Sequence, residues 1–164
     1  MKIMAISDTH NDTIYTREAI DIFVKEHFDK LYVLGDLGTD SISILNEVYD
    51  KVLAVMGNCD SYEEEDKALF NLPYLNFDYQ FGKLIVLSHG NYYNPYTYDQ
   101  KYDIFLSGHT HMSQVSRDRY GRYTANPGSL GQPRDGYHSY LEMDEKGIRI
   151  RDVISHGVLH FQDF

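Results

Sequence analysis

The chain has 164 residues, of which 42% are hydrophobic and 24% charged, and this composition predicts one folded domain over residues 1–164. Its 15 basic and 25 acidic residues give a net charge of −10, which disfavours binding to duplex nucleic acid, because such binding needs many Lys and Arg contacts to phosphates. The single cysteine, Cys59, excludes an intrachain disulfide, no apolar stretch is long enough to span a bilayer, and the N-terminal apolar run is too short for a signal peptide. These features predict a cytoplasmic protein with no membrane partner.

The first sixty residues alternate between the patterns of strands and helices. Short apolar runs predict buried strands, and apolar residues at helical spacing predict the helices between them. Asp12 is expected to cap the first helix, whose apolar face includes Ile14. This alternation predicts a parallel sheet with right-handed crossovers. The predicted elements are a strand over Lys2–Ser7, a helix from Asp12 to about Lys25, a strand over Lys30–Gly35, a helix over Ser41–Tyr49 and a strand over Lys51–Asn58.

After residue 60 the pattern becomes that of β-hairpins. An acidic segment, Tyr62–Leu69, predicts a short helix with a solvated first turn at Glu63–Asp66. Turn signals at Gly82, Tyr120–Gly121 and Glu145–Gly147 then separate apolar strand candidates, which predicts antiparallel pairing. We therefore expect an α/β (α+β) domain in which two sheets pack together and helices lie outside them.

Side chains that can bind metals follow the apolar runs closely. Ligands bind beyond the carboxyl ends of parallel strands, and alternate residues of an extended chain point the same way, so we expect these side chains to share one pocket. Any one of them alone would be typical of a helix cap or a hydrogen-bonded surface group. The candidates are Asp8 and His10 in "SDTH", Asp36 in "LGD", Asn58 in "GNCD", His89 in "SHG", and His109 and His111 in "SGHTH".

The number of candidate ligands indicates how many ions they would hold. One tetrahedral zinc ion needs only three or four of the seven oxygen and nitrogen donors. Two ions about 3.5–4 Å apart, sharing a carboxylate, would use them all. The pattern therefore favours a site for two divalent metal ions.

The five motifs, in this order, resemble those of the calcineurin-like metallophosphoesterases. The small size, "GNCD" and "NPGS" are most similar to the compact YfcE-like phosphodiesterase branch, and the resemblance runs from Met1 to about Gly136. It implies a four-layer αββα sandwich with two mixed sheets flanked by helices. It also implies one metal held by Asp8, His10, Asp36 and His111, and a second held by Asp36 as the bridging ligand together with Asn58, His89 and His109.

Some positions depart from the family pattern without removing a ligand. Many relatives have His or Asp where Asn91 stands, and Gly where Asn11 stands, and "GDLGTD" differs in its last positions. Many relatives also have a histidine that can protonate the leaving alkoxide where this chain has Cys59. The cysteine is either a weaker substitute for that acid or a small buried residue.

The resemblance implies a phosphodiesterase that hydrolyses small phosphodiesters through a metal-bridging hydroxide, with Asp36, Asn58 and His109 as catalytic residues. It implies Mn²⁺ as the activating ion, while Fe, Zn²⁺, Co²⁺ and Ni²⁺ also suit nitrogen and oxygen ligands. Two alternatives from other classes are a non-catalytic binding scaffold, as in the retromer subunit with this fold, and a nuclease. The complete ligand set argues against the scaffold, and the negative charge and the missing extra domains argue against the nuclease. A homo-oligomer stays open.

The roles of several residues near the motifs stay open. Arg134 either contacts a phosphate or forms a structural ion pair, and Asn126 is expected beside the ligands without being one. The tyrosines of one loop, Tyr92, Tyr93, Tyr96 and Tyr98, either stack on a nucleobase or aryl leaving group or pack the loop or a subunit contact. His138 is undecided. We expect the remaining histidines, His27, His156 and His160, on the surface.

Overall fold

The computed structural model describes residues 1–60 and 72–164, and the helix predicted over Tyr62–Leu69, with its first turn at Glu63–Asp66, lies outside these ranges. The helices of the described residues are α1 (Thr13–Lys25), α2 (Thr39–Leu45) and a 3₁₀-helix (Asn46–Lys51). The strands are β1 (Ile3–Ile6), β2 (Lys30–Val33), β3 (Val52–Ala54), β4 (Leu75–Gln80), β5 (Lys83–Ser88), β6 (Ile104–Leu106), β7 (Gln114–Arg117), β8 (Tyr123–Asn126), β9 (Ser139–Asp144), β10 (Gly147–Asp152) and β11 (Val158–Asp163).

The strands form two mixed sheets, which confirms the predicted α+β fold class. The first sheet has the order β11-β10-β9-β1-β2-β3, in which β1, β2 and β3 are parallel and the other neighbours antiparallel. The second sheet has the order β4-β5-β6-β8-β7. The C-terminal ends of β1, β2, β3, β5 and β6 each lead into one of the motif loops.

Alternation along β1 explains how the layers pack. Ile3 and Ala5 lie in the core between the two sheets, whereas Met4 and Ile6 lie in the core beneath α1 and α2. All four side chains are inaccessible to solvent. A strand buried on both faces is therefore an apolar run without polar alternation, as the sequence pattern indicates.

The first helix begins where its cap residue predicts. The Asp12 carboxylate accepts the N–H of Tyr15 at 2.9 Å, which satisfies one of the free donors of the first turn. Ile14, expected on the buried face, is 69% exposed, and Thr16 is buried instead. The second helix is shorter than predicted, because Val48 has non-helical backbone angles and the chain after Leu45 continues as a 3₁₀-helix.

Strand pairing in the second half differs from the prediction. Strands β5, β6 and β8 are parallel neighbours, and only the hairpins β4–β5 and β7–β8 are antiparallel within this sheet. The reason is that a long loop, residues 89–103, carries the chain back to the edge of the sheet at which β5 began, so that β6 runs parallel to β5. Strands β9 and β10 form the predicted hairpin but join the first sheet, and β11 was not predicted.

That long loop covers part of the outer face of the second sheet. Tyr98 and Tyr102 pack on Val86 and Phe105 there. Tyr98 thus follows the packing alternative, while other tyrosines of the loop stay exposed. Within the two described ranges, no helix is both long and apolar enough to cross a bilayer.

Candidate metal centre

Asp8 presents one oxygen to the centre and uses the other for hydrogen bonds. Its Oδ2 accepts the Ser7 hydroxyl at 2.6 Å and the His109 N–H at 2.9 Å. Its Oδ1 is buried and accepts no hydrogen bond from the described residues. An unpaired carboxylate oxygen in the interior is costly unless a cation binds it.

Three imidazole nitrogens surround this Oδ1 atom. The Nε2 atoms of His111, His10 and His89 lie 3.2, 3.7 and 3.9 Å from it, respectively. The Nε2 atoms of His10 and His111 lie 3.2 Å from each other. Ligands at 2.0–2.2 Å from one ion are separated by about 3.0–3.6 Å. The two spacings of 3.2 Å, from His111 Nε2 to Asp8 Oδ1 and from His111 Nε2 to His10 Nε2, suit a shared cation. The term metal centre is used below for Asp8, His10, Asp36, His89 and His111.

Asp36 lies between His10 and His89. Its Oδ2 atom is 3.3 Å from His89 Nε2 and 3.8 Å from His10 Nε2, while its Oδ1 accepts the Cys59 N–H at 2.8 Å. Burial alone would raise the pKa of Asp36, but the hydrogen bonds with His89 and with the Cys59 N–H lower it to about 2. The carboxylate is thus ionised at neutral pH.

Backbone carbonyls orient two of the histidines. His89 Nδ1–H donates to Leu34 O, and His111 Nδ1–H donates to Gln132 O, each at 2.7 Å. The Nε2 atom of each ring therefore faces the metal centre, as is usual for metal ligands. Burial alone would lower the pKa of His89, but the Asp36 hydrogen bond and the charge of Asp8 raise it.

Asn58 and His109 lie at the exposed margin of the centre. The Oδ1 of Asn58 is 3.1 Å from His89 Nε2. The His109 ring meets the His89 ring edge-on, with centroids 5.1 Å apart. Burial and the charge of His89 lower the pKa of His109. Three or more His, Cys, Asp or Glu residues can share a metal ion when their ligand atoms all lie within 4.8 Å of one another. Among the described residues, Cys59 forms such a group with His10 and Asp36, whereas His109 belongs to none.

The alternative of a small buried residue is wrong for Cys59, because its side chain is exposed. What burial it has raises the pKa of the thiol, and the hydrogen bond and charge of Asp36 raise it further, to about 11. The thiol therefore stands protonated at the mouth of the centre.

The backbone brings the ligands together by a different route from the expected one. Extended strand ends were predicted, but φ is positive at Asp8 (53°), His10 (44°), Asp36 (56°), His109 (68°) and His111 (59°). Left-handed backbone at non-glycine residues costs about 1–3 kcal/mol each and is typical of functional sites. The strand ends therefore turn sharply, and these turns aim the side chains.

The flanking residues expected near the site are exposed. The backbone N–H of Arg134 donates to His111 O at 3.0 Å, and its exposed side chain forms no ion pair with another described residue. Tyr92 is 63% exposed and meets Tyr74 edge-on, with centroids 4.8 Å apart.

Other residues act on the loops and do not face the centre. The Asn126 amide donates to Gly108 O at 2.7 Å, so it supports the loop of His109 and His111, as expected. His138 stacks on Tyr15 with ring centroids 3.5 Å apart, which gives it a structural role. His27, His156 and His160 are exposed, as predicted.

Sequence reasoning missed two residues that hold the ligands. Ser7 binds the Asp8 carboxylate, and Asp60 accepts the N–H of Asp36 at 2.9 Å. Both are letters of motifs already singled out, "SDTH" and "GNCD". Their positions in the sequence, close to the candidate ligands Asp8 and Asn58, could have indicated this supporting role.

Residues 1–147 match the model of the calcineurin-like phosphoesterase superfamily domain. The phosphodiesterase YfcE of Escherichia coli strain K12 is 31% identical to this chain over 156 residues, which cover 83% of each protein. The solved structure of YfcE, a phosphoesterase from E. coli, matches with a TM-score of 0.88 and 26% identity over 99% of each chain.

A second solved structure shares the fold. The structure of Vps29 from Entamoeba histolytica in complex with Zn²⁺ matches with a TM-score of 0.73 and 19% identity, over 99% of each chain. A match at 19% identity shows a shared fold and gives no information about function.

Proposed function

Because the chain belongs to the calcineurin-like phosphoesterase superfamily, we propose that it is a metal-dependent phosphodiesterase that hydrolyses small phosphodiesters. One domain, residues 1–164, would carry the whole activity. The observation that carries the proposal is the buried Asp8 Oδ1, which accepts no hydrogen bond and lies 3.2–3.9 Å from three imidazole nitrogens. A cation would satisfy this oxygen and those nitrogens together.

The donors suit two divalent ions. Mn²⁺ is our choice on the family resemblance, and the mixed donors also fit Fe, Zn²⁺, Co²⁺ and Ni²⁺. When bound, the ions would supply Lewis acidity toward the phosphoryl oxygens and would acidify water. We assign to one ion Asp8, His10, Asp36 and His111, and to the other Asp36, Asn58, His89 and His109.

The residues of the chain have three tasks in this proposal. Asp36, ionised and placed between His10 and His89, keeps the two halves of the centre together. The carbonyl partners of His89 and His111 fix the rings before substrate arrives. Asn58 and His109 are exposed at the margin of the centre, and we assign them, with Asp36, to the catalytic set.

Substrate contacts are assigned to Arg134 and Tyr92. Arg134 is exposed and follows the loop that holds His111, so its guanidinium is available to a phosphate oxygen. The exposed Tyr92 ring offers a flat apolar surface to a leaving group. Arg134→Ala should raise KM for a diester, whereas Arg119→Ala, an exposed arginine in the β7–β8 hairpin, should not.

The proposed partners are small molecules. A net charge of −10 opposes the many phosphate contacts that duplex binding requires, which argues against the nuclease alternative. The complete donor set argues against a purely scaffolding role. The single exposed thiol, Cys59, is in keeping with a reducing compartment, so we propose the cytoplasm. A homo-oligomer stays open.

A screen of metals against substrates tests the proposal. Apoprotein loaded with each divalent ion is assayed on bis(p-nitrophenyl) phosphate, on the matching monoester and on alkyl diesters. We expect diesterase activity with Mn²⁺, its loss on chelation, and loss in His89→Ala but not in the surface control His160→Ala. Metal-loaded wild-type protein that hydrolyses none of the esters would contradict the proposal and favour the scaffold.

A further inference from the structure

Asp60 joins the loop that follows β2 to the loop that follows β3. Its Oδ2 accepts the N–H groups of Asp36 at 2.9 Å and Gly57 at 2.8 Å, and its Oδ1 accepts the N–H of Leu37 at 2.8 Å. One side chain therefore satisfies three backbone donors that lie beyond the ends of their strands. Such donors are costly to leave unpaired.

The two loops pass in close contact where Asp60 binds them. Gly35 has φ +88°, and a β-carbon there would lie 2.5 Å from Gly57 N. A β-carbon on Gly57 would clash with the Asp36 carboxylate. Asp36 itself has φ +56°, a conformation that the surrounding structure must impose. The Asp60 carboxylate binds backbone N–H groups on both sides of this junction.

The same turn holds the side chain of Asp36. The Cys59 N–H, next to Asp60, donates to Asp36 Oδ1, which leaves Oδ2 facing His10 and His89. We propose that Asp60 is a positioning residue that sets both the backbone and the carboxylate of Asp36 before any metal binds. This inference rests on the proposed function, because Asp36 is the ligand assigned to both ions.

The chain offers a matched control for a purely structural role. Asp118, in the β7–β8 hairpin, also accepts two backbone N–H groups on one oxygen, from Tyr120 at 2.8 Å and Arg122 at 2.9 Å. Its other oxygen accepts Arg122 Nε at 2.8 Å. Asp118 thus has the same number of donors as Asp60 but lies in a hairpin whose residues are not candidate ligands.

The experiment compares Asp60→Asn with Asp118→Asn. In each variant the Asn side chain has the shape of the Asp side chain, but an NH₂ group replaces one carboxylate oxygen. That NH₂ group cannot accept a hydrogen bond, so at least one N–H or guanidinium donor loses its acceptor. Mn²⁺ binding is measured by calorimetry and by the electron paramagnetic resonance signal of a coupled Mn²⁺ pair, and stability is measured on the metal-free proteins. We expect both variants to lose stability, and only Asp60→Asn to lose the coupled signal and about 10–100-fold in metal affinity.

Wild-type affinity and an intact coupled signal in folded Asp60→Asn would overturn the inference. If that variant does not fold, hydrogen exchange of the backbone amides is measured in metal-free wild-type protein. The inference requires slow exchange of the Asp36, Leu37 and Gly57 N–H groups. Rapid exchange of these groups until metal is added would overturn it. Because neither measurement uses a substrate, wild-type protein that binds Mn²⁺ pairs but hydrolyses no ester would contradict the proposed function alone.

Discussion

Replacing Cys59 with histidine should speed the hydrolysis of esters that have poor leaving groups. The Cys59 sulfur lies within 4.8 Å of a His10 nitrogen and of an Asp36 oxygen, and the side chain is exposed. Because the side chain is exposed, we expect the larger ring to be accommodated at the mouth of the centre. The backbone N–H of residue 59, which binds Asp36, is unchanged by the substitution.

The size of the effect follows from acidity. The thiol, with a pKa raised to about 11, is a weak proton donor, whereas an imidazolium with a pKa near ~6.5 is matched to neutral pH. A positioned general acid contributes typically ~10²–10⁴-fold. For alkyl leaving groups we expect kcat/KM to rise about 10²-fold, the lower end of the range, because no residue was selected to orient the new imidazole by a hydrogen bond. An aryl leaving group that is stable as an anion should gain less than ~3-fold.

The assay is a series of diesters with leaving groups of graded pKa. We compare kcat/KM for wild type, Cys59→His and Cys59→Ser at equal metal content, measured by mass spectrometry. The plot of log kcat/KM against leaving-group pKa should be shallower for Cys59→His than for wild type. Cys59→Ser should leave activity on an activated diester nearly unchanged.

Two results would refute this reasoning. Equal acceleration of all esters by Cys59→His would mean that the ring does not act as an acid. A large loss in Cys59→Ser, with folding and metal content intact, would mean that the thiol itself is catalytic.

Three further predictions concern other parts of the molecule. Ser7→Ala removes the 2.6 Å hydrogen bond to Asp8 and should weaken Mn²⁺ binding about 10–100-fold in calorimetry, and unchanged affinity would contradict a positioning role for this hydroxyl. Asp78 of the second sheet forms an ion pair with Lys30 of the first sheet. Its partial burial alone would raise the pKa of its carboxyl group, but hydrogen bonds, led by that from Lys30, lower the pKa below its usual value. The ion pair therefore stabilises the fold fully above about pH 4, and this contribution is lost as the pH falls through the lowered pKa. Asp78→Asn should therefore lower the free energy of unfolding by roughly 1–3 kcal/mol at pH 7, with a difference from wild type that shrinks in acid, and a pH-independent difference in denaturant titrations would contradict this. Duplex DNA should bind weakly and small diesters should show little dependence of KM on salt, so tight and steeply salt-dependent duplex binding would revive the nuclease alternative.

The metal centre was predictable from the sequence because its residues obey short-range rules. Asp8, Asp36 and His89 each follow a strand by one to three residues, and parallel strands bring such positions to one edge. The apolar runs that mark the strands can be read without tertiary information. Seven candidate donors could therefore be named before the fold was known, although their roles as ligands stay predictions.

Strand pairing and the supporting hydrogen bonds were not predictable, because they depend on contacts between distant parts of the chain. The parallel pairing of β5, β6 and β8 depends on how a long loop returns, which local patterns do not specify. The left-handed turn at His10 is bound to the neighbouring loop, whose Asp36 carbonyl accepts the His10 N–H at 3.0 Å. Asp60 likewise binds Leu37, 23 residues away, so its role was invisible until both loops were placed.

The number of metal ions bound per chain tests the central claim most directly. The protein is loaded with excess Mn²⁺, desalted and analysed for metal content, and the crystal structure of the loaded form locates the ions. We predict two ions per chain with Asp36 between them, and weaker occupancy of both in Asp36→Asn, because the shared carboxylate loses its charge. A single ion per chain under these conditions, with Asp36 distant from it, would contradict the account.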